Sequence, residues 1–201
     1  FLYEQKFKDA QLAYDLCRLT EANLLALLTD LEKHAAPEQI VDAAGRVENL
    51  FSQLGRPQVV QFAQTIRQKA AAGMSAWSHA LYLHKSAAID RYLEQGDLNA
   101  AFQLAQEVLR QCEQAGDTAY PGAKYDGTMS CLRLGKVLKM AGRSEQALPF
   151  LEEAERRFFT LADGGNADAA LMTSVCLTEE GNCFSDLGRY DEAVRKYEAG
   201  I

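Results

Sequence analysis

The side chains with the greatest chemical potential in this chain are its histidines and cysteines. His79 and His84 lie five positions apart, whereas two metal ligands on one helical face are three or four positions apart. Their spacing therefore predicts ordinary surface or packing roles and no zinc site. His34 follows Lys33, and such cations are favourable at the C-terminal end of a helix.

The five cysteines are odd in number and form no C-x-x-C pair. They are Cys17, Cys112, Cys131, Cys176 and Cys183. This pattern favours reduced, buried thiols in a cytoplasmic protein. A nucleophilic cysteine also needs a base, and all the histidines lie in the first half of the chain. We therefore expect no catalytic residue.

Other motifs for bound groups are weak in this sequence. The loop 163–168 contains acidic and amide side chains, but it lacks the alternating carboxylates and closing Glu of a calcium loop. Neither G-x-x-x-x-G-K-[ST] nor G-x-G-x-x-G occurs, so no phosphate cradle is encoded. The sequence predicts no metal and no cofactor.

The composition, with 48% hydrophobic and 24% charged residues, is typical of a globular protein. The net charge of −7 disfavours nucleic acid and anionic membranes as partners, because both require clustered Lys and Arg. No apolar run reaches the roughly 18 residues that span a bilayer. The chain begins with Phe1 and no signal-like segment, so we expect a piece excised from a larger protein.

Helical periodicity extends through nearly the whole chain, with Pro and Gly at its breaks. We expect about ten helices in antiparallel pairs, over roughly 2–18, 20–35, 37–54, 57–71, 74–95, 97–115, 121–141, 144–162, 166–187 and 190–201. Pro149 falls inside the eighth span. A proline at such a position predicts a kink or a later helix start.

Three segments of the chain align at a spacing of 46 residues. The aligned residues are Tyr92, Gly96 and Ala101; Leu138, Gly142 and Ala147; and Phe184, Gly188 and Ala193. The large residue of each set is predicted to fill the gap that the alanine leaves between two packed helices. The glycine permits the positive φ of a tight turn. A fixed period of this length predicts a stacked repeat array.

These segments resemble the tetratricopeptide repeat (TPR) family. The residues from Glu180 to Ala193, followed by Tyr197, are similar to its core motif, and the copy that begins at Leu134-Gly135 matches the same pattern. Ile89 stands where the family has Gly in the first copy. The usual period of about 34 residues is exceeded by about three helical turns, as in long-helix TPR variants.

The resemblance implies an all-α fold, a right-handed α-solenoid of antiparallel helix pairs. Residues 1–36 would form a divergent helical pair or an N-terminal cap. Residues 37–73 would form a degenerate TPR-like pair, and residues 74–201 three long repeats, the last of them truncated.

In TPR proteins the first helix of each repeat lines the concave groove. The matching positions here imply a binding groove with Arg133, Lys136, Lys139, Asn182 and Ser185. The acidic Asp90, Glu94 and Asp186 would lie beside it. This set predicts a basic centre that could bind a carboxylate of a partner. The complete two-carboxylate clamp of chaperone-binding members is absent, and a solvated face without a ligand remains the alternative.

The family resemblance implies a non-catalytic protein–protein interaction scaffold that binds a peptide or an adjacent domain of the same protein. The motif from Leu187 to Ala193 is also similar to long-helix TPR arrays in sensor regions of larger bacterial signalling proteins, such as STAND-type ATPases. The alternatives are the scaffold part of an enzyme and a nucleic-acid-binding helical repeat. The oligomeric state stays open.

Overall fold

A computed structural model describes residues 8–200. The chain divides into two compact units between Ala76 and Trp77. Within the described residues, nine α-helices make up the regular secondary structure. They are α1 (Ala10–His34), α2 (Pro37–Ser52), α3 (Pro57–Ala72), α4 (His79–Glu94), α5 (Leu98–Ala115), α6 (Ala123–Met140), α7 (Ser144–Asp163), α8 (Ala167–Asp186) and α9 (Tyr190–Ala199).

The first unit contains α1 to α3, which pack around a core that includes Cys17, Phe51 and Ile66. The helices α2 and α3 each begin with a proline, the residue that suits a first helical position. The predicted break between 2–18 and 20–35 is wrong, because α1 continues through residue 19. No Gly or Pro interrupts residues 10–34. Residues 1–7 lie outside the described part.

The second unit contains α4 to α9, which follow one another as antiparallel pairs. The pairs are α4 with α5, α6 with α7, and α8 with α9. We call α4, α6 and α8 the first helices, and α5, α7 and α9 the second helices. Each first helix also contacts the next first helix. The all-α fold of sequential antiparallel pairs is therefore confirmed.

The turn within each pair has the same geometry. Gly96, Gly142 and Gly188 have φ values of 75°, 70° and 72°, which glycine adopts without steric cost. The N–H of the residue after each glycine donates to the carbonyl oxygen of the residue five positions before the donor, at 2.9 Å in all three turns. The 46-residue period of the sequence is thus also a period of hydrogen bonding.

The predicted packing residues are buried in most copies. Ala101 and Ala147 are fully buried and Ala193 is 3% exposed, while Leu138 and Phe184 are 2% and 6% exposed. The prediction for Tyr92 is wrong, since its side chain is 36% exposed. Tyr92 lies on α4, the first helix of its unit, which packs mainly against α5 and α6.

A large residue faces a glycine between the two helices of the later pairs. A Cβ atom on Gly135 would lie 2.6 Å from Leu151 Cδ2, and one on Gly181 would lie 2.5 Å from Tyr197 Cε1. The corresponding positions of the first pair hold Ile89 and Ala105, which are buried in the same core. Large and small side chains have exchanged helices there, so Ile89 is accommodated.

The helix α7 contains Pro149 in its interior. It begins at Ser144, so the predicted alternative of a later start is wrong. The proline lacks the N–H that would donate to the carbonyl oxygen of Glu145.

Candidate binding face on the first helices

One side of the three first helices forms a continuous surface, which we call the first-helix face. Its residues recur at i, i+4 and i+7, the spacing of one helical face, and at 46-residue intervals between helices. They are Leu83, Ala87 and Asp90 on α4; Met129, Arg133 and Lys136 on α6; and Val175, Glu179 and Asn182 on α8. Other sides of α6 are extensively buried, which holds this helix firmly in place.

An ion pair joins α4 to α6 across the first-helix face. Arg133 Nη1 donates to Asp90 Oδ1. The Arg133 side chain is 21% exposed and that of Asp90 is 52% exposed. This contact holds the guanidinium group in place while part of the Arg133 side chain remains exposed.

Two lysines of α6 share one carboxylate of α8. Lys139 Nζ lies 2.5 Å from Glu179 Oε2, and Lys136 Nζ lies 3.3 Å from Glu179 Oε1. Burial opposes ionisation of Glu179, but the hydrogen bond and charge of Lys139, with smaller contributions from Asn182 and Lys136, lower its pKa. Glu179 is therefore an anion that anchors both ammonium groups.

Asn182 connects this network to the second helices. Its Nδ2 donates to Glu179 Oε2 at 3.3 Å, and its Oδ1 accepts from the Tyr197 hydroxyl at 2.9 Å. Three of the five predicted groove residues, Lys136, Lys139 and Asn182, thus belong to one chain of polar contacts. The fourth, Arg133, pairs separately with Asp90. The fifth, Ser185, is exposed near the C-terminal end of α8.

The predicted basic centre is therefore partly neutralised. Three cations, Arg133, Lys136 and Lys139, contact two carboxylates, Asp90 and Glu179. Sequence reasoning missed Glu179. The 46-residue register could have found it, because Glu179 occupies the position that Arg133 holds in the preceding copy. Lys136 is the most exposed of the three cations, at 46% of its side chain.

His79 belongs to a separate polar cluster that the sequence did not reveal. Its Nδ1 lies 2.7 Å from Asp126 Oδ2, which also accepts from the Tyr120 hydroxyl at 2.9 Å. Burial raises the pKa of Asp126, although both hydrogen bonds favour its ionised form. The cluster ties the first turn of α4 to α6.

The cysteines are buried in the described structure. Burial raises the pKa of Cys131 and Cys183 to about 11 and that of Cys176 to about 12. It also raises the pKa of Cys17 and Cys112. These side chains are therefore neutral thiols near pH 7, in a state unsuited to nucleophilic attack.

A second polar surface lies between α5, α6 and α7. Its charged residues include Glu113 and Lys124, and Arg156 and Arg157 of α7. Glu153 holds both arginines, with distances of 2.7 Å to Arg156 Nη2 and 2.6 Å to Arg157 Nε. These hydrogen bonds lower the pKa of Glu153 to about 2. As on the first-helix face, the cations of this surface already have an anionic partner.

Within residues 8–200 we find no group of three or more His, Cys, Asp or Glu side chains arranged to hold a metal ion. In the same range, none of the helices combines the length and the apolarity that crossing a bilayer requires.

No protein-family model and no curated protein matches this sequence. Among solved structures, the crystal structure of BtubC (BKLC) from P. vanneervenii is similar, with a TM-score of 0.57. The two sequences are 12% identical, and the alignment covers 94% of this chain and 89% of that chain. The similarity shows the fold alone, an all-helical, TPR-like repeat.

Proposed function

We propose that this chain is a non-catalytic protein-interaction scaffold that binds a peptide or a neighbouring domain through the first-helix face. The observation that carries the proposal is the set of ordered but accessible charged groups on α4, α6 and α8. Lys136 has the weakest tether, a 3.3 Å contact, and the largest exposed fraction of the three cations. Such an ammonium group can bind a partner carboxylate while it remains in contact with Glu179.

Preformed geometry would lower the entropic cost of binding. The contacts through Glu179 and Asn182 hold Lys136 and Lys139 in position before a partner arrives. Less side-chain entropy is then lost on association. The helices themselves are fixed by a buried core, so we expect little backbone rearrangement on binding.

We further propose that the chain is a sensor or regulatory region of a larger protein, and that its partner is another domain of that protein. The support is the resemblance of the segment Leu187–Ala193 to the long-helix TPR arrays of STAND-type signalling proteins.

The test is to purify the protein from the cells that make it and to compare two charge reversals. Lys136→Glu alters the first-helix face, and Arg110→Glu makes the same change at an exposed site on the second helix α5. We expect Lys136→Glu to lower the affinity for the co-purifying partner by about tenfold. The affinity of Arg110→Glu should stay near that of the wild type. Equal affinities of the two variants would refute binding through the first-helix face.

A further inference from the structure

An apolar row borders the charged part of the first-helix face. It consists of Leu83 on α4, Met129 on α6 and Val175 on α8, each 46 residues from the next. Leu83 is 37% exposed, and Met129 and Val175 are partly exposed while packing on the core beneath. Methionine adapts its shape to a bound surface. The row therefore crosses all three first helices as one accessible apolar strip.

The distance from this row to the charged residues selects the shape of a ligand. Leu83 precedes Asp90, and Met129 precedes Lys136, by seven positions, which is about 10.5 Å along a helix. A single extended strand bound along the apolar row would not reach the charged residues. An α-helix has a diameter of about 10–12 Å, so it covers the apolar row and the charged row together.

The spacing of the first helices selects the repeat of that ligand. Packed helices lie about 8–10 Å apart, and a helix rises about 1.5 Å per residue. A ligand helix crossing α4, α6 and α8 would pass from one to the next in about five to seven residues, and seven residues make close to two helical turns. Apolar side chains at every seventh position would then meet Leu83, Met129 and Val175 in turn.

The charges give the ligand a direction. The flanking row is acidic at Asp90 on α4, basic at Lys136 on α6 and neutral at Asn182 on α8. A ligand that matches this order has a basic residue at its α4 end and an acidic residue at its centre.

We propose that the partner bound by the first-helix face is an amphipathic helix. It carries an apolar residue at every seventh position, an acidic residue beside the central one and a basic residue beside the one over α4. This inference rests on the proposed function and names the chemistry of its partner.

Three synthetic peptides of about 20 residues, about 30 Å long as helices, test the inference. The matched peptide has the charge order described above. The reversed peptide has Lys at the centre and Glu at the α4 end. The broken peptide has the sequence of the matched one except for two prolines in its middle, which prevent a helix. Affinities for the 201-residue protein are measured by fluorescence anisotropy.

We expect the matched peptide to bind about tenfold more tightly than the reversed one and the broken peptide to lose binding. Lys136→Glu should abolish or invert the preference for the matched peptide. Leu83→Glu should lower the affinity for the matched peptide about tenfold. Leu19→Glu, at a site on α1 that is 81% exposed, should have no effect. Circular dichroism checks that each variant is folded.

Equal binding of the matched and reversed peptides, or no binding at about 1 mM, would overturn the inference. If the broken peptide binds as well as the matched one and Lys136→Glu abolishes both, the helical ligand is wrong while the first-helix face remains the binding surface. The proposed function fails only when the co-purifying partner is insensitive to Lys136→Glu, so the two failures are distinguishable.

Discussion

Gly181 packs so closely against the ring of Tyr197 that the site has no room for a side chain. A Cβ at position 181 would lie 2.5 Å from the Tyr197 ring. We expect Gly181→Ala to lower the free energy of unfolding by about 1–3 kcal/mol through overpacking. Urea titration is followed by fluorescence of Trp77, the single tryptophan, which packs on the core of the second unit.

Gly127 provides the matched control for that substitution. It is also a helical glycine, but an added Cβ would lie 3.8 Å from Cys112 Cβ, at ordinary contact distance. Gly127→Ala should be neutral or stabilising by up to about 1 kcal/mol, since alanine favours a helix. Equal losses in both variants would mean that the packing of Gly181 against Tyr197 is not what excludes a side chain.

The exchange of sizes between Ile89 and Ala105 predicts coupled mutations. Ile89→Gly opens a cavity and Ala105→Leu overpacks the core, so each should destabilise by about 2 kcal/mol or more. The double variant recreates the arrangement of Gly135 with Leu151. We expect it to lose at least about 1 kcal/mol less than the sum of the single losses. Strict additivity in urea denaturation would show that these positions do not pack as a pair.

At the residue scale, the sequence predicted buried alanines and positive-φ glycines because both follow from helix packing and turn geometry. It did not predict Glu179 or Asp126 as the partners of Lys139 and His79. Those pairings lie 40 and 47 residues apart in the chain. They depend on which faces of α4, α6 and α8 meet, and this is a property of the packed structure.

At the element scale, α9 is held to its neighbours by a charge cluster around one buried carboxylate. Lys196 Nζ lies 2.5 Å from Glu180 Oε2 of α8 and 3.0 Å from Glu155 Oε2 of α7. Glu180 is completely buried. Burial, with a smaller contribution from the charge of Glu155, raises its pKa to about 7 against the opposing effect of Lys196.

This pKa predicts a pH dependence of stability. A folded-state pKa above the ordinary 4.5 means that the folded protein holds a proton that the unfolded chain releases. Stability from Glu180 is therefore greatest below about pH 4.5 and falls as pH rises to about 7, by up to about 1.4 kcal/mol per pH unit. Glu180→Gln should flatten the unfolding free energy measured in urea between about pH 5 and pH 8.

Glu179→Gln serves as the control for that series. The pKa of Glu179 is lowered, so its contribution is constant above about pH 4.5 and is lost only at lower pH. Its variant should keep the wild-type slope between about pH 5 and pH 8. A wild-type slope in Glu180→Gln as well would contradict the assignment to Glu180.

The helix boundaries were predictable wherever a Gly or Pro marks them, as at Pro37, Pro57 and Gly142. The predicted break near residue 19 failed because the break requires such a marker and the sequence there has none. Helix α7 shows the opposite case, since it continues past Pro149. Tertiary packing around buried Leu148 and Leu151 outweighs the cost of one missing hydrogen bond.

At the scale of the whole molecule, the two compact units meet in sequence at a short connector. Residues 73–76 lie between α3 and α4, and Gly73, Ser75 and Ala76 are exposed. In limited proteolysis with a protease of broad specificity, we expect the first cut within 73–76, because exposed non-helical backbone is the preferred substrate. Mass spectrometry of the products locates the cut. First cuts at the turns of Gly142 or Gly188 would contradict this division.

The central proposal for this protein is that the first helices bind the partner. Hydrogen exchange with mass spectrometry, with and without the co-purifying partner, measures this directly across the chain. We predict that binding slows exchange in α4, α6 and α8, most strongly around Lys136, and leaves α5, α7 and α9 unchanged. Slowing confined to the second helices or to α1–α3 would contradict binding through the first helices.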